Sequence, residues 1–226
     1  MPHVTLVAPH FLENTNRYVA AFAQLEGVTL SLISADPVEA LPPVLRAKVA
    51  GHYRVRDIGD GSQLAAAAQA LGKGVGRIDR LTGALEQLQL PMAHVREVVG
   101  IPGMRPDVAR RFRDKDRMKA VLREAGVPVA KSALVYSQAA LEAFIGAVGY
   151  PVIVKPQAGL GAKATQRVES PEDVRALARL GMAPTPEHPV QVEQFVRARE
   201  HTCETVSVHG KTVWRSGTRY FPTPLE

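Results

Sequence analysis

Apolar residues fall in two rhythms along the chain, one of short strand-like segments and one of helical spacing. Residues 3–9, HVTLVAP, read as a buried strand, 28–34, VTLSLIS, as the next strand, and 52–58, HYRVRDI, as a third. Between the first two, Tyr18, Phe22 and Leu25 recur at helical spacing over 13–26. Strand, helix and strand in close succession predict a parallel sheet with covering helices, a Rossmann-like α/β unit. An alanine-rich helix is expected over 62–71. It ends in the glycines of 72–76. A further helix is expected over 85–99, with Pro91 starting a new turn or kinking it. Gly100-Ile101-Pro102-Gly103 then punctuates the chain, placing a domain boundary near 103–106 and assigning 1–104 and 105–226 to separate domains.

The second region opens with one amphipathic helix expected over 107–125. Val108, Phe112, Met118, Val121 and Leu122 share its buried stripe, and Gly126 stops it. Strands are expected at 127–135 and 150–155, with a helix capped by Ser137 between them. A loop over 156–163 leads to a strand at 164–168. Ser170-Pro171-Glu172-Asp173 then opens another helix, since Ser170 can cap it and Asp173 suits the positive end of its dipole. Three strands complete the pattern at 189–196, 200–208 and 211–220, the last two joined by a tight turn at His209-Gly210.

Composition narrows the classes. Hydrophobic residues make up 46% of the 226 and aromatics only 5%, so the core is aliphatic and wholesale disorder is excluded. A single cysteine, Cys203, rules out an internal disulfide and fits a reducing cytoplasm. The start carries no basic-then-apolar leader, and no apolar run approaches the ~20 residues that span a bilayer. The seven histidines show no metal-ligand spacing. The net charge of +6 is concentrated in 105–131, where nine Lys and Arg oppose four Asp and Glu. Such a stretch can serve nucleic acid, a polyphosphate ligand or a solvated helix face. Phe112 alone offers a base-stacking group there, and no RNA-binding signature is present, which disfavours nucleic acid.

Three segments carry candidate chemistry. Val152-Ile153-Val154-Lys155-Pro156 brings a lysine to a strand end, and Gly159-Leu160-Gly161-Ala162-Lys163 follows it. Glycines let backbone N–H groups approach phosphate oxygens, and an ammonium supplies compact positive charge. Neither a Walker A motif nor a dinucleotide fingerprint occurs. Upstream, Lys115 sits in a basic helix closed by Gly126-Val127-Pro128. Downstream, Glu193-Gln194-Phe195-Val196 and then Glu200 form an extended strand whose backbone can meet an adenine edge, with a carboxylate placed for ribose hydroxyls.

In this order, the three segments resemble the ATP-grasp family over about 105–210. The phrase Gly149-Tyr150-Pro151-Val152-Ile153-Val154-Lys155-Pro156 carries much of that likeness. The resemblance implies a Rossmann-like parallel-sheet domain followed by an incomplete ATP-grasp fold of α+β type. It implies an ATP-dependent ligase that converts a small carboxylate to an acyl phosphate, which an amine or thiol then attacks. By the same resemblance Lys115 meets the α-phosphate side and Lys155 the α/β-phosphates, while the loop from Gly159 through Gly161 to Lys163 closes over the β/γ-phosphates. Glu193 sits beside the adenine amino group, the backbone of Gln194 and Val196 reads the adenine edge, Phe195 adds apolar contact, and Glu200 binds ribose. Two departures stand out. Ala162 occupies a place where serine is common, and the acidic and asparagine ligands for Mg²⁺ are expected beyond residue 226. A nucleotide-binding module that does not catalyse therefore stays open as the alternative. Uncovered strands near the end leave open association into a homo-oligomer.

Overall fold

The computed structural model describes residues 1–156 and 165–222. The chain divides into two compact units, Met1–Arg117 and Met118–Glu226.

The first unit is built on β1 (His3–Val7), α1 (Glu13–Ala23), β2 (Thr29–Ser34), α2 (Pro43–Arg46), β3 (Gly51–Arg54), α3 (Gly61–Gly74), β4 (Arg80–Gly83), α4 (Gln89–Val99) and α5 (Pro106–Arg113). All strand pairs are parallel, in the order β3-β2-β1-β4. Successive strand residues point to opposite faces, and both faces are covered. Leu6, Leu30 and Leu32 pack with Val19 and Leu41 on one side. Val7 and Ile33 pack with Leu64, Leu71, Met92 and Val95 on the other. This is the expected Rossmann-like α/β architecture, with helices on both faces of a parallel sheet.

Several local expectations change. β4 was not anticipated: it is four residues long, opens on Arg80 and follows Arg77 and Asp79, so only Ile78 just before it and Leu81 within it are buried. β3 is shorter than the predicted run. Pro91 is the third residue of α4, where its missing N–H would lack a helical partner in any case, so the helix simply starts near it.

The predicted helix over 107–125 is two helices. Asp114 is extended, at φ −99° and ψ 111°, and separates α5 from α6 (Lys115–Glu124). Its carboxylate accepts the N–H groups of Asp116 at 3.0 Å and Arg117 at 3.1 Å, an N-cap that starts the second helix afresh. The break resets the helical phase, so the continuous stripe does not form. Phe112 is 61% exposed, and the buried positions are Pro106 and Ala109 in α5 and Lys119 in α6. Because α5 packs against α4, the division between units falls at Arg117/Met118, later than the sequence expectation near 104.

The second unit continues with β5 (Ser132–Val135), α7 (Gln138–Val148), β6 (Val152–Pro156), β7 (Gln166–Val168), α8 (Pro171–Arg179), β8 (Val190–Gln194), β9 (His201–Val208) and β10 (Lys211–Arg219). Ser137 caps α7 through the Ala140 N–H, and Ser170 caps α8 through the Asp173 N–H. Asp173 returns a carboxylate to the Glu169 N–H, a reciprocal capping arrangement. β5, β8, β6 and β7 form an antiparallel sheet in that order. β9 and β10 make a separate two-stranded hairpin turned by His209 and Gly210, both with positive φ. Val206, Val208, Val213 and Trp214 on this hairpin are half or more exposed. Among the described residues, no helix is long and apolar enough to cross a membrane.

Candidate functional site

The four-stranded sheet of the second unit has one apolar and one polar face, and the period of two decides which residue goes where. Val152, Val154, Val190, Val192 and Val168 turn toward Leu141, Ile145, Val174 and Leu177, residues of α7 and α8, and form the core. The alternate positions therefore share the opposite face. Ile153 pairs in register with both Glu193 and Arg167, and Lys155 pairs with Gln191. α6 lies over this face, tied to it by the Arg123 guanidinium, which donates to the Ser132 hydroxyl at 2.6 Å. Ser132 is itself the β5 partner of Glu193.

One helical turn before Arg123, Lys119 reaches the same place. Its Nζ lies 2.8 Å from Oε1 of Glu193, and Nζ of Lys155 lies 2.7 Å from that same oxygen. Lys119 and Glu193 are both buried. Burial pulls the Lys119 ammonium below its ordinary pKa against the opposing hydrogen bond and attraction of Glu193. Burial also pushes the Glu193 carboxyl upward, but hydrogen bonds from Lys119 and Lys155 and the attraction of their charges together hold the group below its ordinary value. Two ammonium groups on one carboxylate leave a surplus of one positive charge in a water-poor setting. A buried charge without compensation is costly, and an incoming anion relieves it.

Glu193 also opens onto a cleft of about 540 Å³. Gln194, Phe195, Val196 and Glu200 line this cleft with it, so the whole downstream segment singled out in the sequence converges on one hollow. Ile153 and Arg167 line it from β6 and β7, and the Arg167 guanidinium carbon stands 4.4 Å over the Phe195 ring. Two backbone donors of the segment are already engaged: the Gln194 N–H with the Lys131 carbonyl at 2.8 Å, and the Phe195 N–H with the Pro151 carbonyl at 3.3 Å. A somewhat larger hollow of about 610 Å³ lies in the first unit, but it is lined largely by small and apolar groups such as Ala65, Leu90 and Val98. His94 is its one titratable residue among those described, so it gathers little chemistry.

The sequence-predicted residues thus fall into three sets. Lys155, Glu193, Gln194, Phe195, Val196 and Glu200 come together in the second unit, with the Glu193 carboxylate gripped by lysines. Lys115 is the first residue of α6, four positions ahead of Lys119. Gly159, Gly161 and Lys163 lie outside the described residues. Lys119 itself was missed. The available signal was a lysine one helical turn from Lys115 in a helix with few large apolar residues to bury. Among the described residues, no three His, Cys, Asp or Glu side chains gather to hold a metal ion.

Comparison with known proteins finds relatives over this part of the chain. Residues 114–210 match the family described as the carbamoyl-phosphate synthase L chain, ATP binding domain. The carbamoyl phosphate synthase large chain, C-terminal section, of Methanopyrus kandleri is 29% identical over 109 residues, covering 48% of this chain and 20% of that protein. Among solved structures, the L-amino acid ligase of Bacillus licheniformis is similar at a TM-score of 0.67 and 17% identity, covering 94% of this chain and 48% of that one. The N5-carboxyaminoimidazole synthetase of Staphylococcus aureus, complexed with ADP, is similar at a TM-score of 0.67 and 18% identity, covering 97% and 53%. The chain thus spans about half the length of these solved structures and a fifth of the curated relative. At such identities the structures speak for the fold, while the family match speaks for the segment that carries the lysines and the cleft. Over residues 114–210 the chain is similar to the ATP-binding domain of the carbamoyl-phosphate synthase L chain, and the solved ligase structures share its fold.

Proposed function

We propose that the second unit holds ATP with its base in the cleft beside Glu193 to Glu200 and its phosphates toward Lys155 and Lys119, as the nucleotide-binding part of a carboxylate–amine or carboxylate–thiol ligase. The observation that carries this reading is the buried trio of Lys119, Glu193 and Lys155 at the edge of a cleft lined by an extended strand. The surplus positive charge favours a polyphosphate, and the strand suits a planar heterocycle. Lys115, opening the same helix as Lys119, is assigned to the phosphate end as well. Glu200 supplies acceptors for ribose hydroxyls. With the Gln194 N–H already bonded, the part left to Gln194 is its carbonyl, which accepts from the adenine amino group, while Val196 donates its N–H to the ring.

The chemistry assigned to the whole ligase is transfer of the terminal phosphoryl group to a carboxylate, followed by attack of the amine or thiol on the acyl phosphate. What this chain's residues contribute to it is electrostatic: ammonium groups offset charge on the phosphates and orient them. Calorimetric titration with ATP tests the binding step. Saturable binding is expected to weaken as salt rises, because ion pairs with phosphate are screened. A folded chain that takes up neither ATP nor ADP overturns the reading.

A further inference from the structure

The edge of a bound base is served by the strand from Glu193 to Val196, but its flat faces need partners too. Two residues that line the cleft carry planar groups already engaged with one another: Arg167, whose guanidinium carbon stands 4.4 Å over the ring centroid, and Phe195 beneath it. Their placement follows from the sheet. Arg167 shares the polar face with Ile153 and Glu193 by strand register, and Phe195 lies two residues beyond Glu193, on the same face by the period of two. A second contact holds the guanidinium from its edge, since Nη2 of Arg167 lies 2.5 Å from Oε1 of Glu169. The group is therefore fixed from one face and one edge while lining the cleft.

We propose that Arg167 is a base-recognition residue, whose guanidinium forms the stacking platform for the purine in a column of purine, guanidinium and phenyl ring. This rests on the nucleotide reading above. A guanidinium is planar, weakly hydrated and cationic, so it is attracted to π faces on both sides, and Phe195 holds it ready. A lysine at the same place would keep the charge but lose the plane. That difference separates stacking on the base from a charge aimed at phosphates.

The test titrates the full chain with ADP and with inorganic tripolyphosphate, which lacks a base, for Arg167→Leu, Arg167→Lys and Lys155→Ala. Arg167→Leu is expected to weaken ADP binding by about five- to thirtyfold, the range for losing one stacked or cation–π partner, and to leave tripolyphosphate unchanged. Arg167→Lys should recover little of the ADP affinity. Lys155→Ala should weaken both ligands. Equal loss of ADP and tripolyphosphate in Arg167→Leu, or full recovery in Arg167→Lys, would overturn the stacking role in favour of a point charge for phosphate. Unchanged ADP affinity in Arg167→Leu, with Lys155→Ala weakened, would overturn the role of Arg167 while leaving the nucleotide reading intact. A wild-type chain that binds neither ligand would overturn both.

Discussion

Lys119 on α6 and Glu193 on β8 form an ion pair of 2.8 Å whose side chains are each 11% exposed. The pair is not balanced, because Lys155 claims the same carboxylate oxygen. Removing different members therefore has unequal effects. Glu193→Ala leaves two ammonium groups facing each other in a buried place and is expected to cost about 3–5 kcal/mol, the usual penalty for orphaning a buried charge. Lys119→Met leaves a one-to-one pair of Lys155 with Glu193 and fills much of the space with an apolar chain, so it should cost clearly less. Urea unfolding of the two variants against wild type measures this. Equal losses would show that the carboxylate is not the member on which both lysines depend.

The same trio makes a signed prediction about pH. Glu193 is held below its ordinary value of 4.5 by the two lysines, so the unfolded chain binds more protons than the native one as pH falls below that range. Its contribution to stability is full above about pH 5 and is lost as pH falls through the lowered folded value. Lys119 is also held below its ordinary value of 10.5, by burial. Between the lowered value and 10.5, the unfolded chain again holds more protons, so this group's share of stability rises with pH in that alkaline window. Melting curves from pH 3 to 7 should show a shallower acid limb in Glu193→Gln than in wild type. Superimposable limbs would place the acid sensitivity elsewhere.

The start of α6 supports a third prediction. Asp114 caps it through the Asp116 and Arg117 N–H groups, and this helix carries Lys119. Asp114→Ala should cost about 1 kcal/mol, and Asp114→Asn, which keeps a capping oxygen, should restore most of it. Thermal melts of both variants check the cap. A loss that asparagine does not recover would assign it to the other interactions of Asp114.

What the sequence revealed depended on whether the signal was local. The parallel sheet was legible because β1 and β2 are short, aliphatic-rich segments almost wholly buried on both faces. The caps at Ser137 and Ser170 were legible because a hydroxyl just before a helical pattern acts on N–H groups two or three residues away. The segment from Glu193 to Glu200 was legible as one unit, and it lines one cleft. The break at Asp114 was not, since the helical spacing of apolar residues continues across it and hides the cap. Lys119 was not, because its partner lies 74 residues away on β8 and basic residues crowd its helix. The short β4 was hidden by charged flanks that outweigh two buried aliphatic residues.

Lys155 gives the direct test of phosphate binding. Its ammonium lies at the edge of the buried trio, with its side chain 20% exposed, and replacing it leaves Lys119 and Glu193 as a matched pair. Lys155→Ala is therefore expected to fold normally. It should weaken ATP by about ten- to a hundredfold, as the loss of charge-assisted hydrogen bonds of ~1.5–3 kcal/mol implies. Calorimetry with circular dichroism on the same sample separates affinity from fold. Unchanged affinity in a folded variant would remove this lysine from the site.

The choice of base follows from which backbone groups of the strand remain for a ligand. The Gln194 N–H is bonded to the Lys131 carbonyl and the Phe195 N–H to the Pro151 carbonyl, so neither can turn toward the cleft without breaking the sheet edge. In the proposed pose, the Gln194 carbonyl accepts and the Val196 N–H donates, in that order along the strand. Adenine presents a donor amino group beside an acceptor ring nitrogen, which matches. Guanine presents an acceptor oxygen beside a donor ring N–H, which sets like against like and leaves both strand groups unpaired at ~1–3 kcal/mol each. ATP is accordingly expected to bind more tightly than GTP, by about tenfold or more if even one such group is orphaned. Competition of ATP and GTP for the same labelled nucleotide measures the ratio. Lys155→Ala should lower both affinities together, because the lysine meets phosphates common to the two. A wild-type preference for GTP would show that the strand presents its donor and acceptor in the opposite order.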